Sequence, residues 1–89
     1  DGRALAPLVR NLSTVRSRVD VVAALGALGD VRATESLCET LLSDPYVHVR
    51  TQAVTALAQI GGAPAQVCLA KALRTEREEA VRAALRRVQ

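Results

Sequence analysis

Few residues in the chain could do chemistry, and they are scattered. His48 is the only histidine, Cys38 and Cys68 are the only cysteines, and Glu35, Glu39, Glu76, Glu78 and Glu79 are the carboxylates left for acid–base work. One imidazole and two thiols do not make a zinc site at any usual ligand spacing. No Ser, His and Asp set and no Gly-rich phosphate cradle can be assembled. His48 reads as a solvated or capping residue in a turn. The glutamates fall on helix faces or helix ends, where solvation keeps a carboxylate ordinary. The expectation is therefore a chain with no catalytic residue, no metal and no cofactor, and not an enzyme acting alone. Cys38 and Cys68 sit among apolar neighbours in helical patterns, where a buried free thiol is the default; a disulfide between adjacent stacked helices is the alternative.

Composition narrows the class further. Hydrophobic residues are 49% of the 89, yet Tyr46 is the sole aromatic and Met, Trp and Phe are absent. A core of Ala, Val and Leu suits closely approaching helices and suits a large ligand pocket poorly. The net charge of +3 comes from 12 basic against 9 acidic residues, and every basic residue except Lys71 is Arg. Those arginines are spread along the chain beside Asp and Glu, without the clustered cations and stacking aromatics of a nucleic-acid surface, so nucleic acid is not expected as a partner. No stretch is long and apolar enough to span a bilayer, and no basic-then-apolar leader opens the chain. A soluble, cytoplasmic protein without a membrane partner is expected.

The elements that must position these residues repeat along the chain. Leu28-Gly29 recurs at Ile60-Gly61, Leu25 at Leu57, Leu37 at Leu69, Leu41 at Leu73, and Arg18 at Arg50 and Arg82, always 32 residues on. A period in this range signals a stacked array, in which each unit seals its apolar face against the next. Val49, Ala53, Leu57 and Ile60 recur at helical spacing, Gly61-Gly62 stops that helix, and Pro64 opens the next. The preceding unit has the same grammar, with Val21, Ala24, Leu25 and Leu28, a stop at Gly29-Asp30, and a second helix carrying Ala33, Leu37, Cys38 and Leu41. Ser43-Asp44-Pro45 then reverses the chain, with Asp44 able to accept backbone N–H bonds.

Arg3, Ala4, Leu8 and Leu12 match Arg32, Ala33, Leu37 and Leu41 at a step of 29, which predicts a further second helix and a turn around Ser13 to Ser17. The fold class predicted is all-α, an α-solenoid of antiparallel helix pairs with five main helices and a shorter C-terminal sixth. Residues 1–89 form a single repeat domain in this reading. Both ends look cut, and Val81, Leu85 and Val88 are expected to face a neighbour in a longer protein.

The run Gly29-Asp30-Val31-Arg32-Ala33 through Leu37, Leu41, Asp44-Pro45, Val49-Arg50, Ala53-Val54, Ala56-Leu57 and Ile60-Gly61 resembles one complete HEAT repeat of the short, PBS-lyase-like bacterial type. The unit beginning at Gly61 is similar, apart from Gly62 where the motif has Asp, and the first helix is loosely similar. This resemblance implies a solenoid whose second helices line a concave face and whose first helices form the outer one. It implies a layer-to-layer structural role for Asp44 and Arg50, with Arg18 and Arg82 at the equivalent positions and no obvious acid for Arg18. Deoxyhypusine hydroxylases of similar build carry iron-binding His-Glu pairs where this chain has Thr51-Gln52 and Val19-Asp20, which cannot supply that ligation. Phycobilin lyases share the repeat type, but a chromophore pocket would want more aromatics than Tyr46. HEAT-like DNA glycosylases grip DNA with cations and aromatics that are too few here.

Positions on the second helices that do not face the core present Glu35, Glu39 and Leu42, then Val67, Lys71 and Arg74, with Ala6 and Arg10 from the opening helix. Apolar anchors flanked by charges of both signs read as a protein-binding surface. The function expected is a non-catalytic interaction or scaffold module that binds a protein or peptide partner, or the remainder of its own parent chain, on its concave face. The alternative is an accessory subunit of a bilin-lyase-like or other modifying enzyme.

Overall fold

The structure, a computed structural model, describes the backbone of residues 2–89 and side chains from residue 15 onward. It is all-α and solenoid-like: α1 (Gly2–Leu28), one 3-10 turn (Val31–Ala33), α2 (Thr34–Ser43), α3 (Val47–Ile60), α4 (Ala63–Thr75) and α5 (Glu79–Val88). The turn expected around Ser13 to Ser17 is absent, because α1 runs unbroken from Gly2 to Leu28. No glycine or proline stands between Pro7 and Gly26, and serine and threonine alone do not stop a helix. Five α-helices result where six were expected, and the side chains of Ala6 and Arg10 lie outside those described.

Glycines and turn carboxylates set the helix ends. Gly29, Gly61 and Gly62 have φ of 68°, 71° and 87°, in the left-handed region that closes helices and strains other residues. Asp30 accepts the Arg32 amide at 2.9 Å and caps the 3-10 turn. Asp44 accepts the Tyr46 amide at 2.9 Å. One repeat later Glu76 accepts the Glu78 amide at 3.1 Å, so Glu76 takes the part of Asp44 although the two turns differ in sequence.

The core centres on α3, whose Val49, Ala53, Val54, Ala56 and Leu57 are all 0% exposed. Burial of each large side chain contributes about 1.5–3 kcal/mol. α1, α2, α4 and α5 all pack on α3, and α2 also packs on α4. Gly26 lets α1 approach α3 closely, since a Cβ built there would meet Ala56 Cα at 2.7 Å and its Cβ at 2.8 Å. Val81 and Leu85 are 0% exposed. The expectation that they await a neighbour is corrected: they repeat Val49 and Ala53 and pack inward, and Val88 packs partly buried against the same core.

A second correction concerns the cysteines. Cys38 of α2 and Cys68 of α4 form a disulfide with Cα atoms 5.9 Å apart, so the free-thiol reading is overturned. The two are 30 residues apart, not 32. They are therefore not repeat equivalents but partners facing each other across the boundary between layers. Among the described residues no helix is long and apolar enough to cross a membrane.

Candidate functional site

The six side chains singled out for binding are all exposed, and they lie on two helices in one register. Glu35, Glu39 and Leu42 project from α2, and Val67, Lys71 and Arg74 from α4. Within each helix the spacing is four and then three residues, which keeps all three on one stripe. Between helices each rung is one repeat apart: Glu35 with Val67, Glu39 with Lys71, Leu42 with Arg74. Val67 is 69% exposed and Leu42 38%, so the adjacent layer leaves Val67 open. Leu42 lies over the layer boundary, lining a cleft with Arg50, Ala72 and Glu76.

Two devices hold the helices that carry this face. The Cys38–Cys68 bond ties α2 to α4 directly. At the turns, an arginine of α1 and one of α3 each reach the acid that follows the second helix of the pair. Arg18 pairs with Asp44 at 2.5 Å, and Arg50 pairs with Glu76 at 3.0 Å while donating to the Asp44 carbonyl at 2.7 Å. Arg82 donates to the carbonyls of Leu73 and Glu76, both at 3.0 Å. Asp44 is the one buried charged residue among those described, at 6% exposure, and it is both ion-paired and hydrogen-bonded. Arg18 thus finds the partner acid that was not evident in the sequence.

None of the groups able to do chemistry is assembled for it. His48 is exposed in the first turn of α3. Thr51 donates its hydroxyl to the Val47 carbonyl at 2.9 Å within its own helix. Among the described residues no group of His, Cys, Asp and Glu could hold a metal ion, and no buried side-chain polar atom lacks a partner. The Asp30 carboxyl is held below the ordinary aspartate range by the Arg32 side chain first and the Arg32 backbone amide second, which is turn architecture in solvent. Among the described residues the exposed face joins apolar side chains to charges of both signs.

The Cys38–Cys68 tie is the feature of this face that sequence reasoning held only as the alternative to free thiols. The signal available was that both cysteines fall on consecutive second helices, within two residues of the repeat step. A family model described as HEAT repeats matches residues 3–88. Comparisons with curated proteins and with solved structures return no significant match.

Proposed function

Because the chain belongs to the HEAT-repeat family, whose members are generally protein-interaction modules, we propose that it is a non-catalytic interaction module binding a protein or peptide across α2 and α4. The observation that carries this reading is the register-matched face of Glu35, Glu39 and Leu42 beside Val67, Lys71 and Arg74, all exposed. A partner suited to it places a cation near Glu35 and Glu39, a carboxylate near Lys71 and Arg74, and apolar groups on Leu42 and Val67. The disulfide fixes the spacing of the two helices before binding, which lowers the entropy lost on association.

The finer likeness to the short, PBS-lyase-like bacterial type rests on the run from Gly29 to Gly61, and residues 1–89 are taken as one repeat domain. The cytoplasmic expectation rested on a sequence with no membrane span, no leader pattern and no mark of an oxidising compartment. A Cys38–Cys68 bond instead favours an oxidising compartment.

The test is retention of a partner by the full chain, with Glu39→Lys and Arg74→Glu introduced together. Loss of retention with helicity unchanged supports the reading. Retention at the level of the unmodified chain excludes this face.

A further inference from the structure

One apolar cleft of the molecule is the open counterpart of a groove that the chain itself fills one repeat later. Val21, Val22 and Leu25 of α1 and Leu37 of α2 line a cleft of about 250 Å³, with Arg18 and Asp44 at one end. A step of 32 carries the four apolar residues to Ala53, Val54, Leu57 and Leu69. Those four are each 0% exposed. α1 packs along α3, and α2 packs on both helices of that groove, bonded through Cys38 to Cys68 of α4 and bringing Leu41 and Leu42 against Arg50 and Ala72. In the earlier cleft Val22 and Leu37 form a buried floor, Leu25 is half-buried, and Val21 at the rim is 58% exposed.

The arginine rung shows the same vacancy. Arg50 donates to the carbonyl of Asp44, which ends α2, and Arg82 donates to that of Glu76, which ends α4. Among the described residues Arg18 engages only the Asp44 carboxylate, and its side chain is 45% exposed against 16% for Arg50. What the later layer has and this one lacks is a helix C-terminus offering carbonyls to the guanidinium.

We propose that the α1–α2 cleft receives an amphipathic helix of a partner polypeptide, seated as α2 is seated in the next layer, with its last carbonyls on Arg18. The occupant carries apolar residues at the spacing of Cys38, Leu41 and Leu42, at i, i+3 and i+4, the pattern that lies in a helix-binding groove. Ser17, Ser36 and Thr40 stand where the later groove has Val49, Cys68 and Ala72. One edge is therefore polar, and the occupant presents hydrogen-bonding side chains along it. The chain's own opening residues are not taken as the occupant, because α1 runs as one helix from Gly2 to Leu28 with no turn that would reverse it. This surface is separate from the exposed α2–α4 face, and either can fail without the other.

The probe is a fluorescent peptide of residues 33–44 with Cys38→Ala, which retains the anchors that fill the later groove, added to the full chain. Saturable anisotropy is expected, with NMR shifts concentrated at Val21, Leu25 and Leu37. Val21→Glu, at an exposed position, should weaken binding by roughly tenfold or more, and Arg18→Gln should weaken it with the circular dichroism spectrum unchanged. No shifts at these residues, or equal binding by Val21→Glu, overturns the proposal. Binding that appears only after residues 1–13 are removed makes the chain's own segment the occupant and overturns it too. A dimer that Val21→Glu converts to monomer assigns the cleft to a second copy, with the same consequence.

Discussion

Arg18 and Asp44 meet at 2.5 Å across 26 residues of sequence, and Arg50 and Glu76 repeat the pair at 3.0 Å across the same interval. An interval shorter than the repeat means that each arginine reaches from a first helix, within α1 for Arg18 and in the first turn of α3 for Arg50, to the tail of the second helix in its own pair. The ladder therefore closes each hairpin at its open end, and the arginine also reaches the turn before it, as Arg50 does at the Asp44 carbonyl.

Arg50→Ala removes both links at once. Glu76, with a side chain only 9% exposed, and the Asp44 carbonyl would each lose a partner in a place that water reaches poorly. The expected loss is about 2–4 kcal/mol, read from urea unfolding followed by circular dichroism. Arg18→Ala should cost less, about 1–2 kcal/mol, since the Arg18 side chain is half-exposed and solvent screens the pair. Equal losses for the two variants would mean that the ladder does not strengthen with burial.

Gly26→Ala tests the close approach of α1 to α3. On an isolated helix the change to alanine would stabilise by about 1 kcal/mol. Here the new methyl would lie 2.7 Å from Ala56 Cα, an overlap with backbone that only a shift of the whole helix relieves. A net loss of about 1–3 kcal/mol is expected. A gain in melting temperature would show that α1 stands farther from α3.

Much of this architecture is legible in the sequence because each layer buries the same positions. Leu25 recurs as Leu57 and Leu37 as Leu69, and the left-handed glycines fall where the pattern stops. Exposure of Glu35, Glu39, Lys71 and Arg74 follows from the same periodicity. Relations between layers are less legible, since they depend on helix stagger. The repeat equivalent of Cys68 is Ser36 and that of Cys38 is Ala70, so a search for matching positions never pairs the two cysteines. The partner of Arg18 hides for the same reason: the 26-residue interval recurs at Arg50 and Glu76, yet only packing gives it meaning. Continuity of α1 through Ser13 to Ser17 defeats a prediction made by analogy with the other turns, because that segment contains no residue that stops a helix.

Asp30 gives a pH-dependent readout confined to one turn. Its carboxyl is held below the ordinary aspartate range by Arg32, whose guanidinium is correspondingly raised. A depressed carboxyl stabilises the fold above the ordinary aspartate pKa, and the contribution fades as pH falls through the lowered value. An NMR titration should place Asp30 below the ordinary aspartate value, and Arg32→Gln should move it upward. An unmoved titration in that variant would assign the shift to the backbone amide alone.

The Cys38–Cys68 bond should be the largest single covalent contribution to stability. It spans 30 residues, and closing a loop of that size in the unfolded chain stabilises by roughly 3.5 kcal/mol, within a usual range of about 2–4. Under denaturing, non-reducing conditions a thiol reagent should find no free cysteine, and reduction should lower the urea midpoint. Cys38→Ala with Cys68→Ala should reproduce the reduced midpoint and lose its response to reductant. Because the bond joins the two helices that carry Glu39 and Lys71, the double variant should also bind a partner of that face more weakly at a temperature where it remains folded. Undiminished affinity there would mean that packing of Leu41 and Ala72 alone sets the spacing of α2 and α4, leaving the disulfide a role in stability only.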